Sequence, residues 1–308
     1  GGRDAGTRTD PHVAPRERRT LYLEPFRKAV CEAGALGVMS SYNDYDGEPV
    51  SGSYHFLTEI LRQQWGFKGY IVSDSEAVEF LYSKHKVAAD AVDGAAQVIN
   101  AGLNVRTNFS LPENFIYPLR HAISEEKISM QTIDSRVADV LRVKFMMGLF
   151  DNPYKGDTKK LEKVVHCKEH QNVSMRAALE SIVLLKNENN ILPLSKSIKK
   201  VAVIGPNAAE VDNLICRYGP ANAPIKTVYQ GIKDYLPDSE VRYAKGADII
   251  DEYFPESELY DVPLNKTEET MIDEAVALAK ESDVAIMVLG GNEKTVREEY
   301  SRTNLDLC

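Results

Sequence analysis

The 308-residue sequence lacks a long apolar run and lacks an excess of positive charge. A membrane-spanning helix needs about 20 predominantly apolar residues, and no run in this sequence reaches about 18. The net charge is −9. A nucleic-acid binder needs a basic face to displace counterions from phosphates, so this charge argues against one. The sequence therefore predicts a protein that binds neither membrane nor nucleic acid.

Cysteine is scarce and forms no motif. The four cysteines are widely separated: Cys31, Cys167, Cys216 and Cys308. No CxxC pair indicates a metal site, and disulfide frameworks are typical of much shorter secreted chains. His166 and His170 have the spacing of one helix face, but no HExxH glutamate lies between them, so histidines that face solvent are expected. The sequence implies no metal and no cofactor.

Two further motifs are missing. The strand-like segment Lys200–Gly205 is followed by Pro206 and not by GxGxxG. Proline removes a backbone N–H that a phosphate would need, which disfavours dinucleotide binding. Ser73 and Ser75 flank Asp74, but no GxSxG surrounds them, which disfavours a serine hydrolase.

Strand-like and helix-like segments alternate along the first half of the chain. Short apolar runs predict strands at Leu36–Tyr42, Tyr70–Ser73 and Leu103–Arg106. Apolar residues at helical spacing predict helices at Tyr54–Trp65, Val87–Ala101, Glu113–Ser124 and Ile128–Met147. Such alternation predicts βαβ units and a parallel sheet. About three units are present, too few to close an eight-stranded barrel.

A second α/β unit is predicted after a linker at Asp151–Val164, which proline, glycine and lysine punctuate. Its predicted elements are helices at Gln171–Ala178 and Glu268–Ser282, a polar turn at Asn187–Asn190, and strands at Lys200–Gly205, Glu240–Ala244 and Asp283–Gly290. The predicted organisation is thus a first domain over 1–150, a linker over 151–164 and a second domain over 165–308.

An apolar strand that ends on a carboxylate is the leading candidate for chemistry. Asp74 directly follows the predicted strand Tyr70–Ser73. Parallel sheets place their active sites at the carboxyl ends of the strands, so Asp74 is a candidate catalytic residue. The alternative is a helix N-cap, a position that aspartate also fills well. Glu76 has a weaker claim, because negative charge is favoured in a first helical turn.

A glutamate-rich segment follows the last predicted strand. It contains Glu293, Glu298 and Glu299. Segments of this kind usually carry solvated charge, but an acidic loop at the carboxyl end of a strand can also bring a second carboxylate to a first. Glycoside hydrolysis uses such a pair, with one carboxylate as nucleophile and one carboxylic acid that protonates the leaving oxygen.

Three motifs together resemble glycoside hydrolase family 3. They are SYNDYDGEPVSGSYHFLTEILRQQWGFKGYIVSDSEAV, then ESIVLLKNENNILPL with KKVAVIGPNA after it, and EEYSRTNLDL, which resembles the family's EGxDRxxLxLPG. They occur in the family's order and cover almost the whole chain. The variants SDSEAVEFLYSKH, AGLNVR and GGNEKTVREEYSR most resemble bacterial members of the β-xylosidase type.

The resemblance implies an α/β fold made of the C-terminal half of a (β/α)8 barrel followed by the start of an α/β sandwich domain. It implies that Asp74 is the nucleophile of a retaining β-glycosidase, which releases a terminal xylose or glucose from an oligosaccharide or aryl β-glycoside. Aligning Arg302 with the arginine of EGxDR places the acid/base on Glu298. Glu299 stays an alternative, because it replaces the family's glycine and Ser301 replaces its aspartate.

The resemblance also implies substrate-binding positions. Met39 and Tyr42 fall in the strand motif near the sugar, with core packing as the alternative for both. Ser75 stands where many members have tryptophan, which removes an aromatic wall from the sugar site. No KHF-type motif occurs, and the opening GGRDAGTRTDPHVAP resembles the loop just after it. The chain is therefore predicted to be an internal fragment with little glycosidase activity when isolated.

Two alternatives to the β-xylosidase or β-glucosidase stay open. One is a β-N-acetylglucosaminidase of the same family, a class that uses a His–Asp dyad in a barrel loop. The other is a non-catalytic carbohydrate-binding module. The sequence leaves the oligomeric state open. For the location, the bacterial periplasm or exterior is expected first, with the cytoplasm as the alternative.

Overall fold

The structure is a computed structural model that describes residues 10–154, 156–215, 218–219, 224–297, 302 and 305–307. The chain forms two compact units that divide between Asn172 and Val173. Both units mix helices and strands, so the predicted α/β class is confirmed at this level.

The elements of the first unit are as follows. Its strands are β1 (Gly37–Ser40), β2 (Asp44–Tyr45), β3 (Glu48–Pro49) and β4 (Tyr70–Ser73). Its α-helices are α1 (Pro15–Glu17), α2 (Glu24–Cys31), α3 (Phe80–Ser83), α4 (Ala91–Ala101), α5 (Glu113–Ser124), α6 (Met130–Met146) and α7 (Thr158–Val164). Arg18–Tyr22 and His55–Gln64 are π-helices. Helix α8 (Lys168–Ser181) crosses the division between the units.

The sheet of the first unit is parallel, as predicted. Strands β1 and β4 pair in register from Gly37 with Tyr70 to Ser40 with Ser73. The third predicted strand, Leu103–Arg106, is reduced to one parallel bridge between Val72 and Val105. The cause is Asn104, whose side-chain Oδ1 accepts the Ile71 N–H at 2.8 Å, where a regular ladder would use a backbone carbonyl.

The helices cover one face of this sheet. Ile71 is fully buried in the main apolar core, and Val38 packs against that core. Side chains alternate between the faces of a strand, so the register partners Met39, Val72 and Val105 share the opposite face. On that face Met39 is 58% exposed and Val105 is 36% exposed. The first unit thus has one packed face and one open face.

Side-chain caps fix where two of the helices begin. Helix α4 begins at Ala91 and not at the predicted Val87, because Asp90 accepts the N–H groups of Val92 and Asp93. Those two hydrogen bonds hold the pKa of the Asp90 carboxyl below its usual value. Helix α6 begins after Ser129 in the same way. Helix α5 matches the predicted Glu113–Ser124.

A short hairpin follows the predicted strand Leu36–Tyr42 and was not predicted from the sequence. Strands β2 and β3 pair antiparallel across Asp46 and Gly47, which have positive φ values of 53° and 81°. Asp-Gly is the residue pair that such tight hairpin turns prefer. The signal was therefore present in the sequence as YDGE.

A buried ion network anchors helix α6 against the sheet. Asp139 is 7% exposed. Its carboxylate lies 3.0 Å from Arg62 Nη2, 2.9 Å from Arg142 Nη1 and 3.7 Å from Arg136 Nη1. Asn104 Nδ2 also donates to it at 3.1 Å. Burial lowers the pKa of Arg62 and of Arg136, and the Asp139 carboxylate opposes that effect. One carboxylate therefore compensates several partly buried guanidinium groups.

Replacing Asp139 with alanine is expected to lower the free energy of unfolding of the first unit by about 3–5 kcal/mol, because it leaves buried positive charge uncompensated. Trp65, the single tryptophan, packs against the core of this unit, so its fluorescence during urea unfolding reports on this unit. The control is Asp134→Ala on the exposed face of the same helix, expected to change stability by less than about 0.5 kcal/mol. Equal losses for the two variants would contradict the role of the network.

The second unit contains a three-layer arrangement. Its strands are β5 (Lys200–Ile204), β6 (Glu240–Ala244) and β7 (Val284–Met287), and its further helices are α9 (Asp212–Ile215), α10 (Val228–Tyr235) and α11 (Lys266–Lys280). The strands are parallel, in the order β6, β5, β7. Val201 and Val203 of β5 belong to a core cluster with α10, and Ala202 and Ile204 belong to one with α11. Both faces of this sheet are therefore covered.

The segment predicted as a linker, Asp151–Val164, contains helix α7, and every residue of that helix is exposed. Helix α8 is longer than the predicted Gln171–Ala178. Helix α11 begins two residues before the predicted Glu268, because Asn265 and Glu268 form a capping box. The domain boundaries at 150 and 165 stay a prediction.

Candidate active site

Asp74 lies at the carboxyl end of the parallel strands in the first unit. It is the first residue after β4, and its N–H donates to the Ser40 carbonyl at 3.1 Å, which extends the ladder by one residue. By alternation along the strand its side chain shares the open face with Val72. The preceding residue, Ser73, faces the other way and is 1% exposed. The backbone of Asp74 is thus held rigidly while its carboxylate is partly exposed.

The carboxylate of Asp74 has few partners. Among the described residues it accepts one hydrogen bond, from the N–H of Ser75 at 2.7 Å. The alternative interpretation of Asp74 as a helix N-cap is wrong, because the next helix begins at Phe80 and its N-cap is Glu79. Glu76 is not in a first helical turn either. It lies in a turn with φ of 65° and is exposed.

The other predicted substrate-binding residues lie at or near the same edge of the sheet. Ser75 directly follows Asp74 and is partly exposed. Tyr42 lies two residues beyond β1, also partly exposed, with its ring centroid 5.4 Å from that of Phe80. Met39 lies within β1, on the open face. Substrate binding and core packing both stay predictions for Met39 and Tyr42; in the described structure Met39 is exposed and Tyr42 is partly exposed.

Sequence reasoning missed one residue of this edge. His85 follows α3, and its side chain is 8% exposed. Its Nε2 lies 2.9 Å from the Tyr42 carbonyl oxygen, and its Nδ1 lies 3.8 Å from Asp44 Oδ1. A contact across 43 residues leaves no periodic signal in a sequence, and the only signal for this residue was its place at the end of SDSEAVEFLYSKH.

The predicted acid/base residues, Glu298 and Glu299, lie outside the described residues, and so does Ser301. Arg302, the arginine of the same segment, lies within the described residues. Its side chain is 14% exposed, and its guanidinium forms a fork with Glu258, with Nη1–Oε1 and Nη2–Oε2 distances of 3.1 and 2.8 Å. Paired parallel hydrogen bonds of this kind fix orientation as well as charge. Glu293 is described and partly exposed.

The chain leading to this segment is anchored at the carboxyl end of the sheet in the second unit. Asn207 of the GPNA motif donates from Nδ2 to the Gly290 carbonyl at 3.1 Å, and Asn292 Nδ2 lies 3.4 Å from Asn207 Oδ1. Gly205 has φ of 135°, and a Cβ there would lie 2.1 Å from the Val288 carbonyl oxygen. The glycine therefore permits close approach of two chain segments, which explains the motif without a nucleotide.

No group of three histidine, cysteine or acidic side chains among the described residues is placed to hold a metal ion. Cys31 and Cys167 are free thiols, while Cys216 and Cys308 lie outside the described residues. None of the helices in the described part of the chain combines the length and apolar character that crossing a membrane requires.

Two family models and several known proteins match the sequence of this chain. Residues 1–143 match the family model "Glycosyl hydrolase family 3 N terminal domain", and residues 182–308 match "Glycosyl hydrolase family 3 C-terminal domain". A β-xylosidase from Formosa agariphila is 34% identical over 308 residues, which cover 96% of this chain and 40% of the relative. A periplasmic β-glucosidase from Salmonella typhimurium is 33% identical over 299 residues, which cover 93% of this chain and 38% of the relative.

Solved structures are also similar to this chain. A β-glucosidase from Erythrobacter marinus superimposes with a TM-score of 0.80 at 33% identity, covering 96% of this chain and 40% of that one. A GH3 exo-β-xylosidase in complex with a xylobiose aziridine activity-based probe superimposes with a TM-score of 0.79 at 27% identity, covering 98% and 36%. The chain spans about 40% of the length of the relatives it matches. With the two family models matched in order along it, the chain belongs to glycoside hydrolase family 3.

Proposed function

We propose that the whole protein is a retaining β-glycosidase that hydrolyses the O-glycosyl bond of a terminal, non-reducing xylose or glucose. Asp74 is its nucleophile, and Glu298 is its acid/base, with Glu299 as the alternative. The names of the relatives, β-xylosidase and β-glucosidase, support the substrate class. The periplasmic location in the name of the Salmonella relative supports a bacterial periplasmic or extracellular location.

The observation that carries this proposal is the position of Asp74. Its carboxylate lies at the carboxyl end of a buried parallel strand, on the open face, with one hydrogen bond among the described residues. A nucleophile needs a rigid backbone and a carboxylate oxygen with few hydrogen bonds, because each hydrogen bond stabilises the negative charge and makes the oxygen less nucleophilic. In the first step one Asp74 oxygen forms a bond to the anomeric carbon while the bond to the leaving oxygen breaks and the acid supplies its proton.

The finer fold belongs to the same proposal. The sheet of the first unit is the later part of a (β/α)8 barrel, with residues 1–150 in the barrel, 151–164 as linker and 165–308 at the start of an α/β sandwich domain. The open face with Met39 and Val105 supports this, because a barrel covers its outer face with helices and fills its inner face with side chains from other strands. The sheet with covered faces in the second unit supports the sandwich.

Trapping of the covalent intermediate tests the proposal. The 2,4-dinitrophenyl 2-deoxy-2-fluoro-β-xyloside and its glucoside analogue carry good leaving groups, while the fluorine slows both displacements. The glycosyl-enzyme is therefore expected to accumulate. Mass spectrometry of a digest should find one fluoroglycosyl group on the peptide that contains Asp74. Binding of the probe without covalent labelling would identify a carbohydrate-binding module, and labelling of another carboxylate would move the nucleophile.

A further inference from the structure

A histidine joins the two chain segments that follow β1 and β4. His85 lies in the segment after β4, and its Nε2 is 2.9 Å from the carbonyl oxygen of Tyr42 in the segment after β1. A carbonyl oxygen can only accept a hydrogen bond, so Nε2 carries the proton and donates it. The imidazole side chain is 8% exposed, and Nδ1 faces Asp44 Oδ1 at 3.8 Å. The ring therefore holds the Tyr42 segment and is too buried to contact substrate.

The same two segments make a second contact beside the first. The rings of Tyr42 and Phe80 lie 5.4 Å apart between centroids, with 40° between their planes. The Phe80 carbonyl accepts the N–H of His85 at 2.8 Å, which fixes the histidine relative to that ring. At the base of both segments Asp74 donates its N–H to Ser40. The segment that begins with the nucleophile thus holds the backbone of Tyr42 through His85 and its ring through Phe80.

We propose that His85 is a positioning residue that sets Tyr42 beside the sugar bound at Asp74. This inference rests on the proposed function. With His85 in place, the segments after β1 and β4 form one rigid wall of the sugar site.

Without its hydrogen bond, the Tyr42 carbonyl loses a buried partner. The backbone is then held at the neighbouring residues, where Ser51 Oγ donates to the Ser41 carbonyl and the Val50 N–H donates to the Asn43 carbonyl. A displacement of about 1 Å in a positioning group can lower the rate by about 10²-fold. Loss of this single hydrogen bond is therefore expected to lower the rate strongly.

Two amide variants test whether the hydrogen bond from residue 85 to the Tyr42 carbonyl is what matters, because only one of them is long enough to form it. In His85→Gln the side-chain N–H lies near the position of Nε2, whereas in His85→Asn it is one methylene too short to reach the Tyr42 carbonyl. We expect kcat/KM of the whole protein on an aryl β-glycoside to stay within about threefold for glutamine and to fall about tenfold or more for asparagine. The control is His121→Asn, the same change at an exposed histidine of α5, which should leave kcat/KM unaltered.

A double-mutant cycle tests whether His85 acts through Tyr42. In a Tyr42→Ala background, His85→Asn should cost less than about twofold, because the side chain that it positions is gone. Equal costs in both backgrounds, or equal rates for the glutamine and asparagine variants, would overturn the inference. Labelling of Asp74 by the fluoro-sugar keeps this outcome separate from the proposed function. If the unsubstituted protein is not labelled at Asp74, the proposed function fails and this inference fails with it.

Discussion

Replacing Asp74 with asparagine in the whole protein is expected to lower kcat by about 10⁴-fold or more, since loss of a nucleophile removes the covalent route. The amide is nearly isosteric with the carboxylate and is a poor nucleophile. Its oxygen can still accept the Ser75 N–H that Asp74 accepts at 2.7 Å, so the fold should be unchanged. Steady-state hydrolysis of an aryl xyloside and an aryl glucoside measures the loss, and Trp65 fluorescence during urea unfolding checks the fold.

The matched control for this variant is Glu76→Gln, two residues further along the same segment. Glu76 is exposed and lies outside the proposed machinery, so its amide should keep near-normal kcat. If Asp74→Asn also keeps near-normal kcat, Asp74 serves only to accept a backbone hydrogen bond and is not the nucleophile. If both variants lose activity equally, the segment after β4 responds to charge as a whole and not through one carboxylate.

Truncating Glu298 to alanine is expected to affect substrates according to their leaving groups. Substrates with poor leaving groups should lose the most, about 10²–10⁴-fold in kcat/KM, because they need protonation as the bond breaks. Activated aryl glycosides should still form the covalent intermediate, which then persists because no base activates water. Azide needs no deprotonation, so it should attack the intermediate, restore turnover and yield a β-glycosyl azide.

Glu299→Ala is the control for this experiment. It should lose little activity and show no rescue by azide. Rescue of Glu299→Ala with no effect on Glu298→Ala would move the acid/base by one residue. Rescue of neither would place the acid outside this pair, and Glu293 would be the next residue to replace. Product analysis by mass spectrometry distinguishes the glycosyl azide from the hydrolysis product in each case.

The strand that leads to Asp74 could be predicted because it is short and one of its sides is buried against the helices, and such burial requires apolar residues close together in the sequence. Helix α5 could also be predicted, because Phe115, Leu119 and Ile123 recur at helical spacing and pack against the core. The predictions failed where a side chain replaced a regular backbone contact. Asn104 takes a ladder position and breaks the third strand, and Asp90 moves the start of α4. Such substitutions depend on three-dimensional proximity that periodicity does not encode.

In the candidate site, too, local patterns could be predicted from the sequence and long-range contacts could not. Asp74 could be predicted because a carboxylate at the end of an apolar strand is a local pattern. The link from His85 to Tyr42 spans 43 residues, and the fork from Arg302 to Glu258 spans 44, so neither pair is adjacent in any local window. The hairpin at Asp46 and Gly47 differs from these, since its turn signal was in the sequence.

The alternation between Ser73 and Asp74 has a consequence for changes in chain length. Ser73 is 1% exposed on the helix side, and its neighbour Asp74 opens to the other side. Deleting or inserting one residue between Tyr70 and Ser73 would exchange the two faces, which would drive the carboxylate into the core and turn the hydroxyl outward. This strand should therefore accept replacement of single residues far more readily than a change in its length. A chimaera that joins this segment to a homologue must keep the residue count from Tyr70 to Asp74, whatever sequence it uses to fill it.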